Sequence, residues 1–421
     1  MSRRNLPRAT ALTLAIVAGA ACAQSTNVKP PLAQAWIDVA TFTGLGMGMG
    51  GMSGAGGSPM SALGGLFGGG GAGGGANNNS FGHTQQAAPG RWVDVTLFTR
   101  NNPSLAEAQQ AVPAGFMSPA LKLQAPREVK PANTPEPDEE TVVEPRYEKP
   151  RGRLLLYWGC SASVRAGQPK VLDMASATAA DLTNFFVSRR ATQRGAHSAA
   201  GRPVWPNQAD PRMVPATASL VGGHAFSGAG VPEGFAFQIP AAQDLMPALQ
   251  LRQAEQGGTN TLSWNSLPTA RAYFVAGMGA ARPEEMVIWT SSELPDTGFG
   301  LLDYQTNSAV DRWLREGVLL PPATTQCAVP KGVFTDQGAM LRMIAYGNEL
   351  NLVHPPRPAD PKASWEPVWA VKLRVKSVAS LMPGMPSMDD AAPPAGEASS
   401  RPAPAKKDVN PLDLLKGVLG R

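Results

Sequence analysis

Residues 261–293 read TLSWNSLPTARAYFVAGMGAARPEEMVIWTSSE, and their reading decides the fold class. Side chains alternate in three short runs. Leu262 and Trp264 oppose Thr261 and Ser263; Tyr273 and Val275 oppose Phe274; Met286, Ile288 and Thr290 oppose Val287 and Trp289. A period of two, interrupted at Asn265, Pro268 and Pro283, predicts strands over 261–264, 272–276 and 285–290. Strands with an apolar face must be covered, which points to a mainly β sandwich or barrel.

The same reading extends outward. Further strands are expected at 153–160, 234–239, 248–252, 339–346 and 369–378. In the last, Trp369, Val371, Leu373 and Val375 alternate with Ala370, Lys372, Arg374 and Lys376, a pattern that predicts a solvated edge or outer surface with a cationic face. Short helices are expected at 181–186 and 311–317. A third is expected over 101–110, where Ser104 and Glu107 have the spacing of a cap. Residues 188–215 read as an irregular surface excursion with His197 exposed, and His224 reads as a loop histidine.

Leu262-Ser263-Trp264, followed through Pro268 and Ala270 by Tyr273-Phe274-Val275, resembles strands B and C of fibronectin type III domains. The resemblance covers only this stretch and lacks the family's tyrosine corner. It implies an immunoglobulin-like or enlarged β-sandwich with Gly-rich and Pro-rich disordered segments. No function follows from it, because that fold serves many.

The chain has 421 residues, but its 45 Gly and 40 Pro leave a shorter folded part. The formal charge of +5 owes much to Arg3, Arg4 and Arg8, so nothing in it indicates a nucleic-acid partner. Those arginines, the apolar run 11–21 and Ala21-Cys22-Ala23 read as a signal peptide over 1–23. A twin-arginine route, an uncleaved anchor and lipidation of Cys22 are competing expectations. The location implied is the periplasm or outer cell envelope, or outside the cell.

Trp36-Ile37-Asp38-Val39-Ala40-Thr41-Phe42-Thr43 recurs as Trp92-Val93-Asp94-Val95-Thr96-Leu97-Phe98-Thr99. Each copy puts Trp36, Asp38 and Phe42, or Trp92, Asp94 and Phe98, on one strand face; these six are candidate interaction residues. Two copies imply two strands with one packing task, paired with each other or offered to neighbouring subunits. The aspartates read as solvated or locally hydrogen-bonded, and a catalytic carboxylate pair would need a fixed separation. Residues 24–110 form an expected region of these strands around a Gly/Met-rich insertion. A Pro/Glu-rich linker follows over 111–150, then the main β domain or two merged domains over 151–380, a disordered linker over 381–408 and a short amphipathic helix over 409–421.

Several residues invite chemistry. Cys160 and Cys327 are a candidate disulfide whose long loop would restrict the unfolded chain by roughly 5 kcal/mol; two separately buried thiols are the alternative. Met47, Met49, Met52, Met382, Met385 and Met388 offer soft thioethers suited to copper, though the same tracts suit low-complexity linkers. Trp158, Trp264, Trp289 and Trp313, with Asp303 and Asn307 near them, would make a sugar platform only if exposed together; buried tryptophans are the competing expectation. There is no recognisable nucleophile motif and no zinc-ligand spacing. Leu412, Leu415 and Leu419 give the terminal helix an apolar side for docking on protein or on a membrane surface. The expectation is a non-catalytic envelope assembly or interaction module, with copper binding through the Met-rich segments and glycan binding as alternatives.

Overall fold

The computed structural model describes residues 29–44, 82–85, 89–126, 152–189, 195–256, 259–282, 284–334, 339–360 and 363–383. They belong to one compact unit. The expected signal peptide, the Gly/Met-rich insertion, the stretch 127–150 and the expected terminal helix lie outside these residues. In chain order the elements are β1 (Ala33–Gly44), β2 (Gly90–Thr99), β3 (Glu107–Ala111), β4 (Ala120–Gln124), β5 (Arg153–Trp158), β6 (Lys170–Asp173), α1 (Ala179–Phe185), β7 (Val204–Trp205), β8 (Gly222–Gly228) and β9 (Ala236–Ile239). There follow β10 (Leu251–Gln256), β11 (Thr259–Trp264), β12 (Ala272–Arg282), β13 (Glu285–Thr290), α2 (Asn307–Arg315), β14 (Gln326–Val329), β15 (Ala339–Tyr346), β16 (Leu350–His354) and β17 (Trp369–Leu381).

Two sheets form a sandwich-like arrangement. The larger runs β6-β5-β13-β12-β15-β17-β1-β2-β7-β4-β3-β8-β9, with β16 also on β17; the smaller runs β10-β11-β14. The deciding stretch spans both sheets. β11 carries Leu262 and Trp264 in the small sheet and β12 carries Tyr273 and Val275 in the large one, with the Trp264 and Tyr273 rings 5.7 Å apart. The pairs β1/β17 and β5/β13 are parallel, which departs from the all-antiparallel pattern of fibronectin type III domains.

Each face of the large sheet has its own apolar layer. On one face Ile37, Val39, Val93, Val95, Tyr273, Val275, Trp289, Leu373 and Val375 join Leu262, Trp264, Cys327 and Val329 of the small sheet. The sheet also curls, so that Phe235, before β9, stacks on Trp369 of β17 at 5.0 Å. On the other face Phe42, Trp92, Leu154, Leu156, Phe274, Ile288, Ile344 and Val378 pack with Phe185 of α1 and Val310 and Trp313 of α2. Burial of each such side chain contributes on the order of 1.5–3 kcal/mol.

Four expectations are corrected. Residues 107–111 are strand, not helix: Ser104 Oγ bonds Asn102 Oδ1, and pairing with β4 and β8 overrides the local cap signal. β4 lies within the expected 111–150 linker. The excursion 188–215 contains β7 and the fully buried Trp205. Finally, the repeat does not stand apart from the body, because β1 lies beside β17 along its whole length, Ala33 opposite Trp369 and Gly44 opposite Ser380.

Candidate functional site

The two repeat copies pair with each other antiparallel, in a register that sets Asp38 directly opposite Asp94, Trp36 opposite Thr96 and Ala40 opposite Trp92. On the other side of β1, the parallel register with β17 sets Trp36, Asp38 and Ala40 beside Lys372, Arg374 and Lys376. Strand alternation therefore gathers both aspartates and three cations on one face.

That face is covered. Arg374 and Lys376 are 4% and 1% exposed, which corrects the solvated cationic edge expected for 369–378. β17 is an interior strand, and a buried cation requires an anion nearby. Arg374 Nε and Nη2 donate to Asp38 Oδ1 and Oδ2 at 2.7 and 2.6 Å. Lys376 Nζ donates to Asp303 Oδ1 at 3.1 Å, and Lys372 Nζ lies 2.6 Å from Glu349 Oε1. Tyr304 completes the cluster: its ring lies 4.2 Å from the Arg374 guanidinium and 4.1 Å from Lys376 Nζ, and its hydroxyl donates to Val39 O at 3.0 Å.

Burial works against every charge here, and the partners decide each outcome. For Arg374 burial opposes the charge, but Asp38 beside it raises the guanidinium pKa above its ordinary value. Burial would raise the Asp303 carboxyl, yet Lys376 and Arg374 hold it below the usual range. Lys376 goes the other way, because burial lowers its ammonium pKa by more than Asp303 restores.

Asp94 has different company. Its oxygens accept from His83 N at 3.2 Å, Thr84 N at 3.1 Å and Thr84 Oγ1 at 2.5 Å. Burial pushes its carboxyl up to about 6, and the Asp38 charge adds to the rise while the Thr84 and His83 bonds oppose it. Asp38 also accepts from Ala196 N at 3.0 Å. There the chain passes so close that a Cβ on Gly195 would lie 1.7 Å from Arg374 Nη2. Both aspartates are thus buried groups engaged with specific donors, which corrects the solvated reading, and their contacts assign them to locking segments onto the sheet.

Trp36, Phe42 and Trp92 are likewise buried, and Phe98 is partly covered by Arg202, whose guanidinium lies 4.8 Å from its ring and 5.5 Å from that of Trp36. An attachment role for these side chains would need a face that the body keeps covered. His197 is half buried: its Nε2 meets Arg202 Nη1 at 2.6 Å, and burial lowers its pKa. His224 lies inside β8, between Gln110 Nε2 at 3.1 Å and Leu220 O at 2.7 Å, which corrects its loop placement.

Cys160 and Cys327 are joined, with their Cα atoms 4.9 Å apart, and tie the chain after β5 to β14 of the small sheet. Trp264, Trp289 and Trp313 are buried and form no exposed platform. Asp303 serves Lys376, and the Asn307 side chain bonds the Glu349 backbone in both directions at 2.9 Å. Met382 is described and half buried, whereas Met47, Met49, Met52, Met385, Met388, Leu412, Leu415 and Leu419 lie outside the described residues. Among the described residues no group of three or more His, Cys, Asp or Glu could hold a metal ion, and no helix is long and apolar enough to cross a membrane. Sequence reasoning missed Asp303 and Glu349 as partners of the β17 lysines, and Tyr304 and Gly195 as neighbours of β1. The available signal was the unusual density of Lys and Arg on a strand whose other face carries Trp369, Val371, Leu373 and Val375 in succession. No protein-family model, curated protein or solved structure matches the chain.

Proposed function

We propose that this chain is a non-catalytic bacterial cell-envelope component that works by binding protein, as an assembly part or interaction module. The observation that carries the reading is that, among the described residues, β6 has a strand partner on one side only. β6 is a terminal strand of the large sheet, and its Val171 is 50% exposed beside Leu155, its partner in register, and Tyr157. A terminal strand offers unpaired backbone donors and acceptors, so an incoming strand can extend the sheet while an apolar side chain adds affinity. The ionic cluster and the disulfide supply the rigid base that such strand addition needs, and the leader-like N-terminus supplies the envelope location.

Native mass spectrometry of protein taken gently from its own envelope, beside recombinant protein, tests the reading. A repeated-subunit mass or a stoichiometric protein partner is expected. Val171→Lys should weaken that association at least tenfold with an unchanged melting temperature, since the site is exposed and lysine discourages edge pairing. A bare monomer in both preparations, or association indifferent to the lysine, overturns it.

A further inference from the structure

The chain from Gly195 to Arg202 crosses the face on which the two repeats pair, and Gly195 lies against Asp38 and Arg374 at one end of the crossing. Midway, His197 N donates to Thr96 Oγ1 at 3.0 Å and that hydroxyl donates to His197 O at 3.1 Å. At the far end the Arg202 guanidinium lies over two aromatic rings, 5.5 Å from Trp36 of β1 and 4.8 Å from Phe98 of β2. A tight turn sets it there, with Arg202 N donating to Ala199 O at 3.0 Å.

What this cation lacks is an anion. The three cations of β17 each meet a carboxylate: Lys372 meets Glu349, Arg374 meets Asp38 and Lys376 meets Asp303. Arg202 meets none among the described residues, and the hydrogen-bond partner of its guanidinium is a ring nitrogen, His197 Nε2. The tautomer of that histidine follows from its other bond. Nδ1 faces Gly195 O at 2.8 Å and a carbonyl only accepts, so Nδ1 carries the proton and Nε2 is a neutral acceptor. Ring faces and a neutral nitrogen orient a guanidinium without balancing its charge. Burial lowers the Arg202 pKa, and no carboxylate restores it. The Trp36 indole Nε1 is buried as well and has no acceptor among the described residues, so donors outnumber acceptors in this corner.

The corner is within reach of solvent. Arg202 and Phe98 are half-buried, and so is Gln34, which stands opposite Phe98 and on the same side of β1 as Trp36. A guanidinium presents its free N–H groups as a planar fork that fits the two oxygens of a carboxylate. A single unmatched cation suits a monoanion, and the half-buried Phe98 ring suits an apolar group attached to it.

We propose that Arg202, with Phe98 and Gln34 beside it, binds a ligand that presents a carboxylate on a flat apolar group. His197 acts as a positioning residue, holding the fork from its other side. The site sits on β1 and β2, remote in sheet order from β6, and does not depend on strand addition there.

The test titrates the full chain, labelled with 15N in arginine and tryptophan, with benzoate as the probe. The Arg202 Nε–H and Trp36 Nε1–H signals should shift together and saturably. Benzamide, which has the ring without the charge, should leave them in place, and inorganic phosphate should bind at least tenfold more weakly than benzoate. Arg202→Gln should weaken benzoate binding at least tenfold. If that variant fails to fold, Arg202→Lys, which keeps the charge and loses the fork, should still weaken binding severalfold. Unmoved signals overturn the proposal and leave Arg202 as a clamp on the repeats. Phosphate binding as tight as benzoate overturns it too, as does benzoate binding that persists unchanged in the variants, which would assign the anion to another part of the chain.

Discussion

Asp38 and Asp94 come from two copies of one sequence motif and face each other across one strand pair, yet they do different electrostatic work. Asp38 meets a guanidinium through two short bonds, so its charge is matched where it stands. Asp94 meets two backbone amides and a hydroxyl, none of which carries a charge, and its carboxyl rises to about 6. Equal local sequence thus gives equal strand and equal facing but unequal chemistry. The third strand and the covering segments decide that chemistry, through Arg374 and Gly195–Ala196 on one side and His83–Thr84 on the other.

Breaking the Asp38 half should have the largest effect. Asp38→Ala leaves Arg374 buried without its carboxylate, and urea denaturation should record a loss of about 3–5 kcal/mol. The double variant Asp38→Leu, Arg374→Met should recover most of that loss, because the cost lies in the orphaned charge. A double variant no more stable than the single one would show that the pair contributes shape as well as charge balance.

Gly195→Ala tests the same half from the covering side. The added methyl group would strike Arg374 Nη2 and Asp38 Oδ2. Overpacking of this kind costs roughly 1–3 kcal/mol, and exchange protection of the Ala196 amide should fall with it. An unchanged denaturation midpoint would mean that the segment can lift from the ion pair at no cost.

Asp94→Asn should have the smallest effect and the most informative pH dependence. The folded carboxyl titrates near 6 against an ordinary 3.8, so the folded state holds its proton more tightly than the unfolded chain. The stabilisation from that proton is complete below about 3.8 and is lost as pH rises through about 6, since ionisation then charges a buried group. Asparagine cannot ionise. The variant should therefore gain on the wild type as pH rises from about 3.8 through about 6, read from denaturation midpoints at successive pH values. Parallel wild-type and variant profiles would show that Asp94 titrates in the folded state as it does in the open chain.

Local pattern carried the strands themselves. The three runs in 261–293 fall on β11, β12 and β13, and the runs at 339–346 and 369–378 fall on β15 and β17, because alternation is a short-range property that the backbone realises wherever a sheet forms. It failed where a neighbour distant in sequence outweighed it. Residues 107–111 carry a helix-start signal but are drawn into the sheet by β4 and β8. Lys372, Arg374 and Lys376 read as solvent-facing because their acids are remote in sequence; Asp38 lies 336 positions from Arg374. His224 read as a loop residue for the same reason, since its partner Gln110 belongs to a strand that local signals had assigned to a helix.

The sequence alone determined the mainly β class, the positions of many strands and the matched facing of the two repeats, all consequences of periodicity and of residue shape along the chain. Tertiary structure decided which face was buried, which carboxylate met a cation and which met neutral donors. These depend on register between remote strands, and a buried charge acquires its chemistry from neighbours that chain order does not specify.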